Sequence, residues 1–131
     1  MKTEKALITG GAGFIGSHLC DRLIRDGHSV TVIDNFSTGR ASNLKQLIGK
    51  TNFKLVEGSI LDVSALKPLI NDSDYVFHLA AAVGVFNIVN NPLKSLLTNI
   101  RGTENVLELA ARRNIPVFLT SSSEVYGKNN S

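Results

Sequence analysis

The sequence predicts an α/β protein built on a doubly wound parallel sheet. Five short apolar segments alternate with segments of helical periodicity, and a glycine-rich turn separates the first apolar segment from the first helix. Parallel strands are joined by right-handed crossovers, so helices are expected on both faces of the sheet. The expected strand order is 3-2-1-4-5, which leaves the fifth strand at an edge.

The strands are indicated by β-branched and aromatic residues between turn residues. They are expected at Lys5–Thr9, Ser29–Asp34, Phe53–Val56, Tyr75–Leu79 and Pro116–Thr120.

The helices are indicated by apolar residues at helical spacing. They are expected at Phe14–Asp26, Asn43–Ile48, Ser64–Ile70 and Pro92–Arg113. Asp62 or Ser64 is expected to cap the third helix, and Pro68 to shorten or kink it. The apolar stripe from Leu93 to Leu109 predicts a core face on the long fourth helix.

Composition narrows the class of protein. A chain of 131 residues with 43% hydrophobic residues fits one domain, and its net charge of +3 comes from scattered residues. Nucleic-acid binding is therefore not expected. Membrane insertion is not expected either, because no apolar run reaches the roughly 18 residues that span a bilayer. The single cysteine, Cys20, cannot form an internal disulfide, so a cytoplasmic protein is expected, with Cys20 in its core. The three histidines, His18, His28 and His78, lack the spacing of a metal site.

The glycine-rich turn occupies residues 9–16 (TGGAGFIG), between the first strand and the first helix. In that position Gly10 permits a tight turn, Gly13 lets the main chain approach a pyrophosphate, and Gly16 allows close packing of helix on strand. The amino terminus of the helix offers free N–H groups to an anion. The motif predicts dinucleotide binding, and the alternative is a turn with a purely structural role.

An acidic residue supports the dinucleotide interpretation. Asp34 ends the second strand, where a carboxylate meets the adenosine ribose hydroxyls and repels a ribose phosphate. Asn35 adds no positive charge, so NAD is expected rather than NADP. Arg40 is the counter-argument, because its guanidinium could reach a phosphate. Residues 1–131 are thus predicted to form an NAD-binding Rossmann domain.

The motif G-x-x-G-x-x-G, preceded by Thr9 and followed by Ser17-His18-Leu19, is one of several with family character. Others are at residues 34–39 (DNFSTG), 56–60 (VEGSI), 78–81 (HLAA), 99–105 (NIRGTEN) and 121–127 (SSSEVYG). Together they resemble the extended short-chain dehydrogenase/reductases, especially the nucleotide-sugar epimerases and dehydratases. The resemblance runs through the whole chain.

The resemblance implies a set of cofactor-binding residues. It implies that the pyrophosphate lies on Gly13, Phe14 and Ile15, with Gly10 and Gly16 shaping the loop. It implies that the adenosine half of NAD contacts Asp34, Asn35, Ser37, Thr38, Gly39, Ser59 and Ile60. It implies main-chain contacts from Leu79, Ala80 and Ala81 and a nicotinamide side formed by Thr98 or Asn99. The family usually has aspartate where Ser59 stands, so weaker cofactor binding is expected.

The resemblance also implies a catalytic segment after the fifth strand. Ser122 stands at the position of the serine or threonine that hydrogen-bonds the sugar hydroxyl. The pair Ser123-Glu124 resembles that of UDP-glucuronate decarboxylases, where the carboxylate acts on the sugar; the alternative is a glutamate that caps the loop. The family's Tyr-x-x-x-Lys motif does not occur in this sequence, because neither Tyr75 nor Tyr126 has lysine four residues later.

The resemblance therefore implies the amino-terminal part of an NAD-dependent enzyme that oxidises a nucleotide-diphosphate sugar at C4. Cut before its catalytic tyrosine and substrate lobe, the chain is not expected to turn over. A homodimer formed through the long helix is left open. Two other functions are also open: a stand-alone NAD-binding module, or a fragment that self-associates through its fifth strand.

Overall fold

The computed structural model describes residues 2–127, apart from the side chains of residues 85–87, 123 and 124. Its strands are β1 (Lys5–Thr9), β2 (Ser29–Asp34), β3 (Phe53–Glu57), β4 (Tyr75–His78) and β5 (Val117–Leu119). Its α-helices are α1 (Phe14–Arg25), α2 (Val63–Asn71), α3 (Val85–Asn90) and α4 (Pro92–Ala111). Short 3₁₀ helices occupy Ala41–Leu44 and Ser123–Tyr126.

The strands form one parallel sheet in the order β3-β2-β1-β4-β5, which confirms the predicted topology. In the register of the sheet, Thr9 at the end of β1 pairs with Ile33 of β2 and with His78 of β4. The loops that follow β1, β2 and β4 therefore meet at the same edge of the sheet.

The core lies on both faces of the sheet, as the alternation of strands and helices predicts. Leu7 of β1 belongs to a cluster with buried residues of α2 and α4, whereas the next residue, Ile8, belongs to a cluster with α1. Cys20 of α1 is fully buried in the second cluster, which confirms its assignment to the core. Successive residues of a strand point to opposite faces, so each strand contributes to both clusters.

Two helical segments differ from the sequence prediction. The helix expected at Asn43–Ile48 is instead the 3₁₀ helix Ala41–Leu44 followed by turns. Leu44 and Leu47 are buried, so packing holds this segment although it is too short for a stable α-helix. The helix α3 was not predicted, because its β-branched residues do not favour a helix.

The capping prediction for α2 is confirmed, with Asp62 as the cap. Its carboxylate accepts hydrogen bonds from the N–H groups of Ser64 (2.9 Å) and Ala65 (3.1 Å). A hydrogen bond from the Ser64 hydroxyl, together with these two main-chain bonds, holds the pKa of Asp62 below its usual value. The helix continues through Pro68 to Asn71, so the expectation that proline shortens it was wrong.

The core face predicted for α4 was wrong over much of its length. The helix buries Ser95, Gly102, Val106, Leu109 and Ala110. Five members of the predicted stripe are exposed instead: Leu93, Leu96, Leu97, Ile100 and Leu107. Periodicity detects an apolar stripe but does not identify what covers it. Within residues 2–127, no helix combines the length and apolar character that a membrane span requires.

Candidate functional site

The candidate site begins at the turn between β1 and α1. Gly10 has a φ of +73°, and a Cβ there would lie 2.8 Å from the Cα of Ala80. Its N–H donates to the carbonyl of Ile33 at 2.9 Å, which fixes the turn against β2. The predicted turn role of Gly10 is confirmed, because a side chain there would be both strained and obstructed.

The amino end of α1 carries unpaired donors. The Ser17 N–H donates to the carbonyl of Gly13 at 3.0 Å, which closes the first helical turn. The N–H groups of Phe14, Ile15 and Gly16 precede that bond, no side chain caps the helix, and its first turn holds no acidic residue. The helix dipole adds partial positive charge at this end. The geometry suits a bound phosphate.

Gly13 and Gly16 have different surroundings. A Cβ on Gly13 would meet only the carbonyl oxygen of Gly10, at 3.3 Å, a tight contact that a small shift of the turn would relieve. A Cβ on Gly16 would lie 2.5 Å from the Gly10 oxygen and 2.7 Å from the Cα of Gly11. Gly16 thus packs against the glycine turn and not against a strand, which corrects the sequence interpretation.

Gly11 has a role that the sequence reasoning missed. A Cβ on it would lie 2.6 Å from a methyl group of Val32 in β2. The glycine therefore lets the turn lie directly on the sheet. The sequence does show a second glycine directly after Gly10, but the motif G-x-x-G-x-x-G assigns a role to Gly10 and none to Gly11.

Asp34 is buried at the end of β2, with 8% of its surface exposed. One carboxylate oxygen accepts from the Ala12 N–H at 2.9 Å and the other accepts from the Phe36 N–H at 2.8 Å. Each oxygen keeps a further lone pair for an incoming hydroxyl group. The carboxylate therefore holds the glycine turn in place and can still accept hydrogen bonds from a ribose.

The loop after β2 folds over the glycine turn. The Asn35 side chain accepts from the Ser37 N–H at 3.1 Å, which makes a local turn. A Cβ on Gly39 would lie 2.9 Å from the carbonyl carbon of Ala12, so this glycine permits close approach of the two loops. Ser37 and Thr38 are exposed beside it.

The carbonyl of Ala12 is held from the same side. It accepts from the Arg40 N–H at 3.0 Å and from the side-chain amide of Asn43 at 2.8 Å. The contact from Asn43 was not predicted, since its partner lies 31 residues away along the chain. The turn is thus fixed through both the N–H and the carbonyl of Ala12.

Ser59 and Ile60 lie in the loop after β3. The Ser59 hydroxyl accepts from the Leu61 N–H at 3.1 Å, so its own proton can be donated elsewhere. The side chain of Ile60 is buried against Gly102 of α4, and its carbonyl accepts from the Asn105 amide at 3.0 Å. The side chain of Ile60 is therefore part of the core, and any contact with a ligand would have to come from its main chain.

The loop after β4 runs beside the glycine turn. The N–H groups of Leu79 and Ala80 donate to the hydroxyl of Thr9 at 3.2 and 3.1 Å. The Asn99 side chain accepts from the Ala82 N–H at 2.7 Å and donates to the Ala82 carbonyl at 3.4 Å. Asn99 therefore holds this loop, and Thr98 beside it is half-buried.

The predicted catalytic segment follows β5, the neighbour of β4. Ser122 is exposed, and its carbonyl accepts from the Val125 N–H at 3.2 Å within the 3₁₀ helix. The side chains of Ser123 and Glu124 lie outside the described residues. The structure thus brings the glycine turn, Asp34 and the loops after β3 and β4 together.

Residues 6–131 match the family described as the NAD dependent epimerase/dehydratase family. UDP-glucuronic acid decarboxylase 1 of Danio rerio is 48% identical over 124 residues, which cover 95% of this chain and 28% of that protein. The chain therefore spans less than a third of that relative.

Solved structures agree with the fold. The UDP-N-acetylglucosamine 4-epimerase of Methanobrevibacter ruminantium, in complex with UDP-N-acetylmuramic acid, is 39% identical with a TM-score of 0.89. The match covers 100% of this chain and 42% of that one. The UDP-glucose 4-epimerase of Brucella ovis, in complex with NAD, is 32% identical with a TM-score of 0.83, covering 98% and 39%. The match over residues 6–131 shows that the chain belongs to the NAD dependent epimerase/dehydratase family.

Proposed function

We propose that this chain binds NAD and forms the cofactor-binding part of an enzyme that acts on a nucleotide-diphosphate sugar. The observation that carries the proposal is the uncapped amino end of α1, where the N–H groups of Phe14, Ile15 and Gly16 have no intrahelical partner. A pyrophosphate there would accept from these groups, and Asp34 lies at the end of the adjacent strand for the ribose.

Asp34 supports NAD as the preferred dinucleotide. Its carboxylate is anchored by two main-chain N–H groups and is buried, so it cannot swing aside for a ribose phosphate. A phosphate next to this carboxylate would place like charges in contact with little solvent to screen them. The main-chain hydrogen bond from Arg40 to Ala12 holds the Arg40 main chain against the glycine turn. Arg40 itself is exposed to solvent.

NAD, when bound, accepts hydride from the sugar and can return it. The chain's own contribution on the substrate side is the segment after β5. Ser122 is proposed to hydrogen-bond the hydroxyl at C4 of the sugar, and Glu124 to act on the sugar as a base. Their position beyond β5, next to the loop after β4, supports these roles.

Decarboxylation of a UDP-hexuronate is the reaction we favour within this family. Oxidation at C4 places a ketone β to the carboxylate on C5, and the ketone then stabilises the negative charge left when carbon dioxide departs. The identity of 48% with a UDP-glucuronic acid decarboxylase, against 39% and 32% with the two 4-epimerases, supports this choice. The resemblance of the pair Ser123-Glu124 to that of UDP-glucuronate decarboxylases points the same way.

The cofactor proposal is tested by calorimetric titration of the 131-residue chain with NAD, NADP and UDP-glucuronate. Saturable binding is expected for NAD, with at least about tenfold weaker binding of the other two. Equal affinity for NAD and NADP would contradict the proposed preference for NAD over NADP. No binding of NAD by a folded sample would overturn the proposal.

The reaction is tested with a chimera in which the 124 matching residues of this chain replace the corresponding segment of the Danio rerio decarboxylase. Release of carbon dioxide from UDP-glucuronate is expected, and Glu124→Gln should reduce it. A folded, NAD-binding chimera that epimerises a UDP-sugar without releasing carbon dioxide would contradict the decarboxylase proposal.

We also propose that the protein is cytoplasmic and forms a homodimer. The exposed leucines of α4 and the exposed Phe118 and Leu119 of β5 support self-association, because exposed apolar patches favour protein contacts. Sedimentation equilibrium tests it: substitution of Leu96 and Leu97 by glutamate should leave a monomer. Dimers that persist in this variant, and dissociate only when Phe118 is changed to lysine, would assign the contact to β5. A monomeric wild type would contradict the proposal.

A further inference from the structure

We infer that His78 is a positioning residue: as a neutral ring protonated on Nε2, it links β1 to α4 and fixes the main chain of residues 79–82 for the cofactor. The inference rests on the proposed function. Both ring nitrogens have partners: Nδ1 lies 2.7 Å from the Thr9 hydroxyl and Nε2 lies 3.0 Å from the Thr103 hydroxyl.

The Thr103 hydroxyl determines which partner donates in its hydrogen bond with the ring. It donates to the carbonyl of Asn99 at 2.6 Å, one helical turn earlier in α4. Its only proton is used in that bond, so it must accept from the ring. Nε2 of His78 is therefore the protonated nitrogen.

The Thr9 hydroxyl, on the other side of the ring, requires the same tautomer. It accepts from the Ala80 N–H, and it shares the Leu79 N–H with the Thr9 carbonyl. Its proton is then directed to Nδ1 of His78, which must be the unprotonated nitrogen. The opposite tautomer would leave the Thr9 proton without an acceptor and would break the bond from Thr103 to Asn99.

A charged ring is incompatible with the same contacts. Protonated Nδ1 would point a second proton at the Thr9 hydroxyl, which already accepts from the loop. The ring is buried, with 2% of its surface exposed, and burial lowers the pKa of His78 below its usual value. Both effects favour the neutral form.

The chain of bonds holds the loop after β4 at both ends. Thr9 binds the N–H groups of Leu79 and Ala80, and Asn99 binds the main chain of Ala82. The same Asn99 accepts from Thr103 through its carbonyl. The main chains of Gly10 and Ala80 lie so close together that a Cβ on Gly10 would be 2.8 Å from the Cα of Ala80. A small shift of this loop would therefore also move the glycine turn.

The ring nitrogens test the tautomer without any cofactor. In a long-range ¹H–¹⁵N spectrum of the 131-residue chain at pH 7.5, Nδ1 of His78 is expected as the unprotonated nitrogen and Nε2 as the protonated one. A ring protonated on Nδ1, or on both nitrogens, would overturn the inference.

Two isosteric substitutions test the positioning role. His78→Asn places an acceptor near the position of Nδ1 and keeps the bond from Thr9, whereas His78→Gln keeps the bond to Thr103 and loses Thr9. NAD affinity, measured by calorimetry, is expected to fall about tenfold in His78→Gln and at most about threefold in His78→Asn.

Thermal unfolding of both variants provides the control. Each loses one buried hydrogen bond, so similar losses of stability are expected, and a merely structural role would lower NAD affinity equally in both. Equal affinities in the two variants would overturn the inference. A wild type that binds no NAD would overturn the proposed function instead, while the ring spectrum would still decide the hydrogen-bond chain.

Discussion

The carboxylate of Asp34, at the end of β2, accepts a hydrogen bond of 2.9 Å from the main-chain N–H of Ala12 in the glycine turn after β1. The two residues are 22 positions apart in the sequence, and the bond is buried. Asp34 therefore has a structural role as well as the proposed contact with the ribose. Its substitution should affect both stability and cofactor binding.

Asp34→Asn is expected to lower the free energy of unfolding by about 1–2 kcal/mol and to weaken NAD binding about tenfold. An asparagine can replace only one of the two acceptor oxygens, so one main-chain N–H is left unpaired. Urea denaturation and calorimetry measure the two effects. Asp72→Asn is the matched control, because Asp72 is exposed in an ion pair with Lys5. Unchanged NAD affinity in Asp34→Asn would contradict the ribose contact.

Gly13→Ala and Gly16→Ala should separate binding from folding. The methyl group on Gly13 meets only the Gly10 oxygen, at 3.3 Å, so a small shift of the turn should retain the fold while the approach of a pyrophosphate is obstructed. The methyl group on Gly16 meets the main chain of the turn at 2.5 Å and should cost about 1–3 kcal/mol of stability. Calorimetry should show at least about a tenfold loss of NAD affinity in Gly13→Ala. Normal binding by that variant would contradict the pyrophosphate site.

Ser59→Asp is expected to strengthen NAD binding about fivefold, since a carboxylate accepts from an adenine amino group with charge assistance. The hydroxyl of Ser59 accepts from the Leu61 N–H, and an aspartate carboxylate can accept the same kind of bond from the N–H two residues later. Ser59→Asn is the uncharged control. If both variants bind NAD as the wild type does, the adenine does not contact residue 59.

The burial of His78 predicts a pH dependence of stability. Its pKa is lowered from about 6.5 by burial, and its ring partners are the uncharged hydroxyls of Thr9 and Thr103. The unfolded state then binds more protons than the folded state below about pH 6.5. This contribution is complete above that pH and is lost as the pH falls through the lower folded value.

Urea denaturation between pH 8 and pH 5 checks the prediction. The difference in unfolding free energy between wild type and His78→Asn should shrink as the pH falls, because only the wild type must protonate a buried ring. A constant difference across this range would contradict the prediction.

Cys20 should resist thiol reagents in the folded chain. Its side chain is fully buried, and burial raises the pKa of the thiol to about 12. At pH 8 the thiolate is then only about one part in ten thousand. Labelling with an alkylating reagent should occur on unfolding, with urea-treated protein as the control. Rapid labelling under native conditions would contradict this burial.

The glycine turn could be predicted because it depends on neighbouring residues, and the sheet order because alternating strands and helices with right-handed crossovers leave few arrangements. The same reasoning did not identify α3, whose valines and isoleucine favour strands. It also placed the α4 stripe in the core, because an apolar face does not specify its partner.

Contacts between distant residues could not be predicted. The Thr9 and His78 side chains are 69 residues apart, and His78 and Thr103 are 25 apart. A lone histidine in an apolar strand suggested no partner of its own. Only the parallel register of β1 and β4 brings it beside Thr9.

The most direct test of the account is a ¹H–¹⁵N titration of the chain with NAD, in which each main-chain amide reports its own surroundings. The largest shifts are expected at Phe14, Ile15 and Gly16, at the amino end of α1, and at Ala12 beside Asp34. Shifts confined to the opposite end of the sheet, near Lys5 and Asp72, or no shifts at saturating NAD, would contradict the proposed pyrophosphate site.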